Sequence, residues 1–183
     1  MRPGSNPGSK RHDLASLLVP LIRQVPDFPQ PGVLFQDLAP VLADAMAFRA
    51  VVDALVAPTR QVDVVVGVEA RGFLLGAAAA YVLGAGVVGV RKAGKLPVVS
   101  DRETYVLEYG VASLELPEGA LRPGQRSLVI DDVLATGGTV AATCALVERA
   151  GASVNGISVL LEIDALQGRD RLGGRSLHAL LTI

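Results

Sequence analysis

With 183 residues, half of them hydrophobic but only 4% aromatic, the chain reads as one aliphatic α/β domain. Its formal net charge of −1 argues against a nucleic-acid or anionic-membrane surface as partner, so any anion site must be local. Cys144 is the single cysteine, which excludes an intrachain disulfide, and no apolar run reaches the roughly 18 residues that span a bilayer.

The opening residues MRPGSNPGSK lack the apolar stretch of a signal peptide, so the expectation is a cytoplasmic protein with a disordered tail over residues 1–12 and a single domain over residues 13–183. Leu14, Leu17, Leu18, Leu21 and Ile22 recur near the helical period, predicting a short amphipathic helix from Asp13 to Arg23 that Pro26 ends. The stretch from Pro26 to Pro40, PDFPQPGVLFQDLAP, is stiffened by its prolines and reads as extended. A helix is predicted over Ala43–Ala57 and a buried strand over Val62–Val68. Glu69, Ala70, Arg71, Gly72 and Phe73 follow directly, then an alanine-rich helix to about Leu83. At that turn Arg71 fits either a bidentate phosphate contact or a surface pair with Glu69.

Val87–Val90 reads as the next strand. It opens into RKAGKLP, whose Arg91, Lys92 and Lys95 suit either a diphosphate or a solvated basic loop. Val98 to Tyr109 is polar and lacks a helical period, whereas Val111–Leu116 alternates like a hairpin strand. The central stretch comes next: Leu128 to Thr139, LVIDDVLATGGT, is an apolar run followed by two carboxylates, a glycine-rich turn and a helical pattern. Such a strand ends where open α/β sheets bind ligands. Thr136, Gly137, Gly138 and Thr139 then offer N–H groups and hydroxyls at a helix N-terminus, where an anion is favoured. Asp131 and Asp132 raise each other's pKa unless a cation or a hydrogen-bond donor faces them; a sugar diol or Mg²⁺ would serve. No Lys follows the glycines, so this is not a Walker loop. A helix over Thr139–Ala150, a strand over Val154–Ile163, a charged loop over Arg169–Arg175 and a last strand over Leu177–Ile183 complete the chain. His12 and His178 are isolated and are given no metal or catalytic role.

LVIDDVLATGGT resembles the phosphoribosyl diphosphate (PRPP) signature of type I phosphoribosyltransferases, and VIDDVLATGGT is similar to its adenine phosphoribosyltransferase version. The resemblance implies the type I fold, α/β with a mainly parallel twisted sheet flanked by helices, an N-terminal hood at about residues 24–40 and a mobile flap at about 94–117. In that family the acid pair binds the ribose hydroxyls, the place of Asp131 and Asp132. The loop Ala135, Thr136, Gly137, Gly138 and Thr139 wraps the 5′-phosphate. The related 6-oxopurine enzymes usually carry an Asp where Ala135 stands, so the implied base is adenine. PDFPQPGVLFQD resembles the family's hood motif, which implies adenine recognition by backbone near Leu34 and Gln36 with the ring of Phe35 on one face and Ile163 on the other. Gln36 departs from the family's common Arg.

EARGF and RKAGKLP resemble the family's pyrophosphate-side loops, which implies PRPP contacts from Arg71, Arg91, Lys92 and Lys95. Leu107–Gly110 matches the flap's LEYG. That assigns Tyr109 to the flap and Glu108 to the proton on adenine N7, with Arg71 and Glu108 as catalytic residues. Mg²⁺ carried with PRPP near Asp131 and Asp132, and a homodimer, are further implications. The implied reaction converts adenine and PRPP to AMP and diphosphate, as in purine salvage. The alternatives are a transferase for another purine such as xanthine, which Gln36 keeps open, and a non-catalytic PRPP-binding regulator, against which stands the lack of a DNA-binding segment and of a basic surface.

Overall fold

Runs of Val, Ile and Leu long enough to be buried on both faces make the strands that organise this chain. In the computed structural model, which describes residues 7–59, 61–106 and 110–183, the chain divides into two compact units, one ending at Val52 and one from Asp53 to Ile183. Composition alone predicts one domain from residue 13.

In the first unit α1 (Pro7–Leu18) passes into a 3₁₀ turn, Val19–Leu21. The helix starts inside the stretch expected to be a tail, with Pro7 at the first position, where a missing N–H is harmless. It stops short of Arg23 because Pro20 has no amide to continue the α ladder. β1 (Arg23–Pro26) and β2 (Leu34–Asp37) pair antiparallel, Arg23 opposite Asp37. The proline-rich stretch is therefore a hairpin and not one extended segment. Its turn is held by Asp27, whose carboxylate accepts the Gly32 N–H at 2.8 Å. α2 (Ala39–Ala43) and α3 (Ala45–Val56) replace the single helix predicted from Ala43. Asp44 breaks them: its backbone is extended and its Oδ1 accepts the N–H groups of Met46 and Ala47 at 3.0 and 2.8 Å, an N-cap.

The second unit is built on β3 (Val64–Val68), α4 (Arg71–Leu83), β4 (Gly86–Lys92), β5 (Val99–Val106), β6 (Val111–Pro117), β7 (Arg126–Leu134), α5 (Gly138–Arg149), β8 (Ser153–Glu162) and β9 (Leu177–Thr182). The strands form one sheet in the order β5-β6-β4-β3-β7-β8-β9. β4, β3, β7, β8 and β9 run parallel, and the β5–β6 hairpin joins antiparallel through β6. Val66, Val90 and Val129 of the sheet share an apolar cluster with Val140, Cys144 and Val147 of α5. Each such side chain contributes about 1.5–3 kcal/mol when fully buried. Cys144 is part of this packing, and burial pushes its thiol up to about 11.

Two strands depart from expectation. β5 was not predicted, because its half-buried positions are Asp101, Glu103 and Tyr105, which hide the alternation from a hydrophobicity reading. β7 runs on to Leu134, so Asp131 and Asp132 lie inside the strand and not just beyond its end. Past β8, 3₁₀ turns form over Asp164–Leu166 and Gly168–Leu172, the second running into the charged loop expected over Arg169–Arg175, with Arg169 forked onto Glu162 at 2.5 and 2.7 Å. No helix among the described residues is long and apolar enough to cross a membrane.

Candidate active site

Parallel pairing puts the carboxyl ends of β4, β3 and β7 at one edge of the sheet, with Val68 beside Val90 and Gly67 beside Ile130. The chain leaves β3 for β4 on one side and later returns as β7 on the other. Between β3 and β7 the strand order reverses, the usual crevice for a ligand in open α/β sheets. Three loops open there, over residues 69–70, 93–98 and 135–137.

Asp131 and Asp132 are both buried near the end of β7. Asp132 forms an ion pair with Arg71 at the start of α4, and its backbone N–H donates to Asp131 Oδ1 at 2.9 Å. Arg71 is therefore held by Asp132 and not by Glu69. Burial holds Asp131 well above the usual carboxylate range; the charge of Asp132 adds to this and that of Arg71 offsets only part. The pair sets two carboxylates side by side with Arg71 on Asp132 and the Asp132 N–H on Asp131. It is suited to a ligand that brings hydroxyls or positive charge.

Glu69 collects the cations of the neighbouring loop. Its carboxylate accepts Lys95 Nζ at 2.5 Å and the Lys92 N–H at 2.9 Å, and Arg91 Nε lies 3.5 Å away. Burial raises the Glu69 pKa, but the bonds from Lys95 and Lys92 and the charges of Lys95 and Arg91 win, and it stays below its ordinary value. Gly94, inside the same loop, donates to Glu115 Oε2 at 2.9 Å, and Glu115 in turn receives Arg102 at 2.5 Å. The end of β4 and the loop after it are thus fixed by two carboxylates, with the Arg91, Lys92 and Lys95 side chains still partly in solvent.

The glycine-rich turn carries Gly137 at φ 80° as the residue preceding α5. A Cβ there would run into the carbonyl oxygen of Gly168, and one on Gly168 would run into the carbonyl oxygen of Ala135. Two backbones are interlocked, which holds Ala135, Thr136 and Gly137 in a fixed curve ahead of Gly138 and Thr139. Ile163 lies alongside, its N–H donating to the Leu134 carbonyl at 2.9 Å. The curve leads into the N-terminus of a twelve-residue helix, a favourable place for an anion.

The comparisons with known proteins agree with this geometry. Residues 42–173 match the model of the phosphoribosyl transferase domain. An adenine phosphoribosyltransferase of Clavibacter michiganensis subsp. michiganensis is 60% identical over 169 residues, covering 92% of this chain and 97% of that one. One from Saccharopolyspora erythraea is 62% identical, covering 88% of each. The chain belongs to the adenine phosphoribosyltransferase family. Its fold is the type I phosphoribosyltransferase fold: the crystal structure of the Rhodothermus marinus adenine phosphoribosyltransferase superposes with a TM-score of 0.90 at 46% identity, covering 94% of this chain and 99% of that one. The Saccharomyces cerevisiae enzyme, solved with an imino-altritol bisphosphate and adenine, superposes with a TM-score of 0.87 at 38% identity over 93% and 99% of the two chains.

Within this family member, the structure brings together Arg71, Asp131, Asp132, Arg91, Lys92, Lys95, the 135–139 turn and Ile163 at one sheet edge. Leu34, Phe35 and Gln36 lie in the first unit, on β2. Leu34 is exposed, the Phe35 ring meets Phe28 edge-on at 5.1 Å, and Gln36 is buried with its side-chain carbonyl unpartnered. Glu108 and Tyr109 lie outside the described residues. Sequence reasoning missed Glu69, Glu115, Gly168 and Tyr105 as members of the site. Glu69 stood in the EARGF segment directly after a strand end and was readable there. The other three are brought in by pairings distant in sequence, and no local pattern marks them.

Proposed function

We propose that this chain transfers the 5-phosphoribosyl group of PRPP to adenine, forming AMP and releasing diphosphate, in the manner of purine salvage. The observation that carries the reading is the buried Asp131–Asp132 pair, like charges side by side, set between the cations at the end of β4 and an interlocked helix N-terminus. One PRPP molecule satisfies all three: its ribose hydroxyls donate to the acid pair, its diphosphate meets Arg91, Lys92 and Lys95, and its 5′-phosphate takes the N–H groups and hydroxyls of residues 136–139.

Departure of the diphosphate leaves positive charge on the sugar, which water would capture, so the reacting carbon must be shielded. Arg71 and the lysines stabilise the charge developing on the leaving group. Among the described residues no three His, Cys, Asp or Glu side chains cluster as a metal cage. The acid pair offers two hard oxygen donors, which fits an ion that keeps most of its ligands from phosphate and water. Mg²⁺ carried with PRPP would add charge neutralisation at the diphosphate, with Asp131 and Asp132 nearby. Base binding is assigned, on family resemblance, to Leu34, Phe35, Gln36 and Ile163. Glu108 takes the N7 proton as N9 attacks C1′, with Tyr109 on the same flap. Glu108→Gln should lower kcat by roughly 10²- to 10⁴-fold and leave PRPP affinity nearly unchanged; equal losses in both would remove that role. A cytoplasmic homodimer completes the reading.

The test is a base panel. Adenine, hypoxanthine, guanine and xanthine are each supplied with PRPP and Mg²⁺ while nucleotide and diphosphate are followed. AMP from adenine alone is the expected result; turnover of another base, or PRPP binding without any nucleotide, would overturn it.

A further inference from the structure

β5 alternates, with Asp101, Glu103 and Tyr105 half-buried and Arg102, Thr104 and Val106 exposed. All three half-buried residues meet α5. At the helix C-terminus Arg149 Nε donates to Asp101 at 2.6 Å, Nη1 to Glu103 at 2.6 Å and Nη2 to the Arg102 carbonyl at 3.3 Å. At the N-terminus the Tyr105 ring lies over Gly138, where an added Cβ would come within 3.0 Å of Cδ2, and Thr139 Oγ1 donates to the Tyr105 hydroxyl at 3.1 Å. The strand that leads to residues 107–109 is therefore laid along the helix whose first turn carries Thr139.

We infer that Tyr105 is a positioning residue for the 5′-phosphate, acting through Thr139; this rests on the reading that the turn before α5 holds the phosphate ester of PRPP. The chemistry follows from what a hydroxyl can do. It has one proton and two lone pairs. Without an acceptor in front of it, Thr139 gives its proton to Tyr105. With a phosphate oxygen there, the Thr139 proton turns to the phosphate and the Tyr105 proton fills the Thr139 lone pair. The resulting chain, Tyr105 to Thr139 to phosphate, has each bond polarising the next. No covalent bond changes. The same contact ties the phosphate turn to β5, one residue before Val106 pairs with Val111 at the base of the hairpin.

Tyr105→Phe removes only the hydroxyl and keeps the ring over Gly138. It should weaken ribose 5-phosphate binding, measured by calorimetry, and raise the KM for PRPP, each about 3- to 10-fold, while the KM for adenine, which has no phosphate, stays as it was. In a Thr139→Val background the same change should have no further effect on ribose 5-phosphate affinity. In a Thr139→Ser background, where the hydroxyl remains, the loss should reappear. Equal shifts for PRPP and adenine, unchanged ribose 5-phosphate affinity, or a full loss persisting beside Thr139→Val would each overturn the inference. A wild-type protein that makes no AMP would overturn the functional reading instead, since ribose 5-phosphate calorimetry requires no turnover.

Discussion

Two carboxylates at the same sheet edge behave in opposite ways. Asp131 is buried and Glu69 half-buried, and Asp131 is pushed well above the carboxylate range while Glu69 is held below it. Burial acts upward on both, more deeply at Asp131, and partner supply carries the difference further. Glu69 has Lys95, the Lys92 amide and Arg91. Asp131 accepts the Asp132 N–H but faces that neighbour's charge, and Arg71 pairs with the neighbour. A buried acid with a full set of donors organises a loop. A buried acid set against a second acid is poised for a ligand that brings donors or positive charge.

Substituting each acid by its neutral amide tests this contrast. Asp131→Asn should lower kcat/KM by roughly 10²- to 10³-fold, the effect of losing one preorganised group, while the melting temperature holds or rises, because a strained charge has been removed. A marked drop in melting temperature with little loss of activity would break the comparison. Glu69→Gln should show the reverse balance. Its cations are partly solvated, so the loss is modest, about 1–2 kcal/mol, or about 2–8 °C for a chain of this length, and kcat/KM should fall less than for Asp131→Asn.

The pH dependences should also oppose each other. Glu69, with its folded pKa depressed, stabilises fully above the ordinary carboxylate value, and that contribution is lost as pH falls through the depressed one. Asp131, with its folded pKa raised, penalises folding above the raised value. The penalty is relieved as pH falls through that value toward the ordinary 3.8. The melting-temperature gap between Asp131→Asn and wild type should therefore close as the buffer is acidified from neutrality, and a gap that widens would sink the assignment. The smallest effect is a proton balance. PRPP binding should expel a fraction of, at most, about one proton per site as Asp131 ionises, read by calorimetry in buffers of different ionisation enthalpy. Asp131→Asn should abolish this release and Glu69→Gln should keep it.

Gln36, where the resemblance in sequence implies an Arg, is buried with its side-chain carbonyl unpartnered among the described residues. The base panel reads its consequence directly.

Much of the cleft was legible in the residues. The apolar runs of β3, β7 and β8 outlast their neighbours because a strand buried on both faces needs no alternation, and the acid pair, the glycine-rich turn and the cation loop each carry their chemistry in a few contiguous residues. Helix starts at Ala45 and stops at Leu18 were less legible, because they hang on Asp44 as a cap and Pro20 as a breaker within otherwise continuous apolar patterns. β5 was hidden altogether, since its inward positions are polar and are satisfied by Arg149 and Thr139 on α5. Composition and local pattern by themselves determined the class of fold, the buried strands and the helix after each of β3 and β7, and the kinds of group offered to a substrate. Only the tertiary structure decided that Arg71 belongs to Asp132, that Arg91, Lys95 and the Lys92 amide converge on Glu69, that Gly168 locks the phosphate turn and that Tyr105 reaches Thr139. Each of these joins residues far apart in the chain, and whether a buried charge finds a partner is settled by what the fold brings to its side.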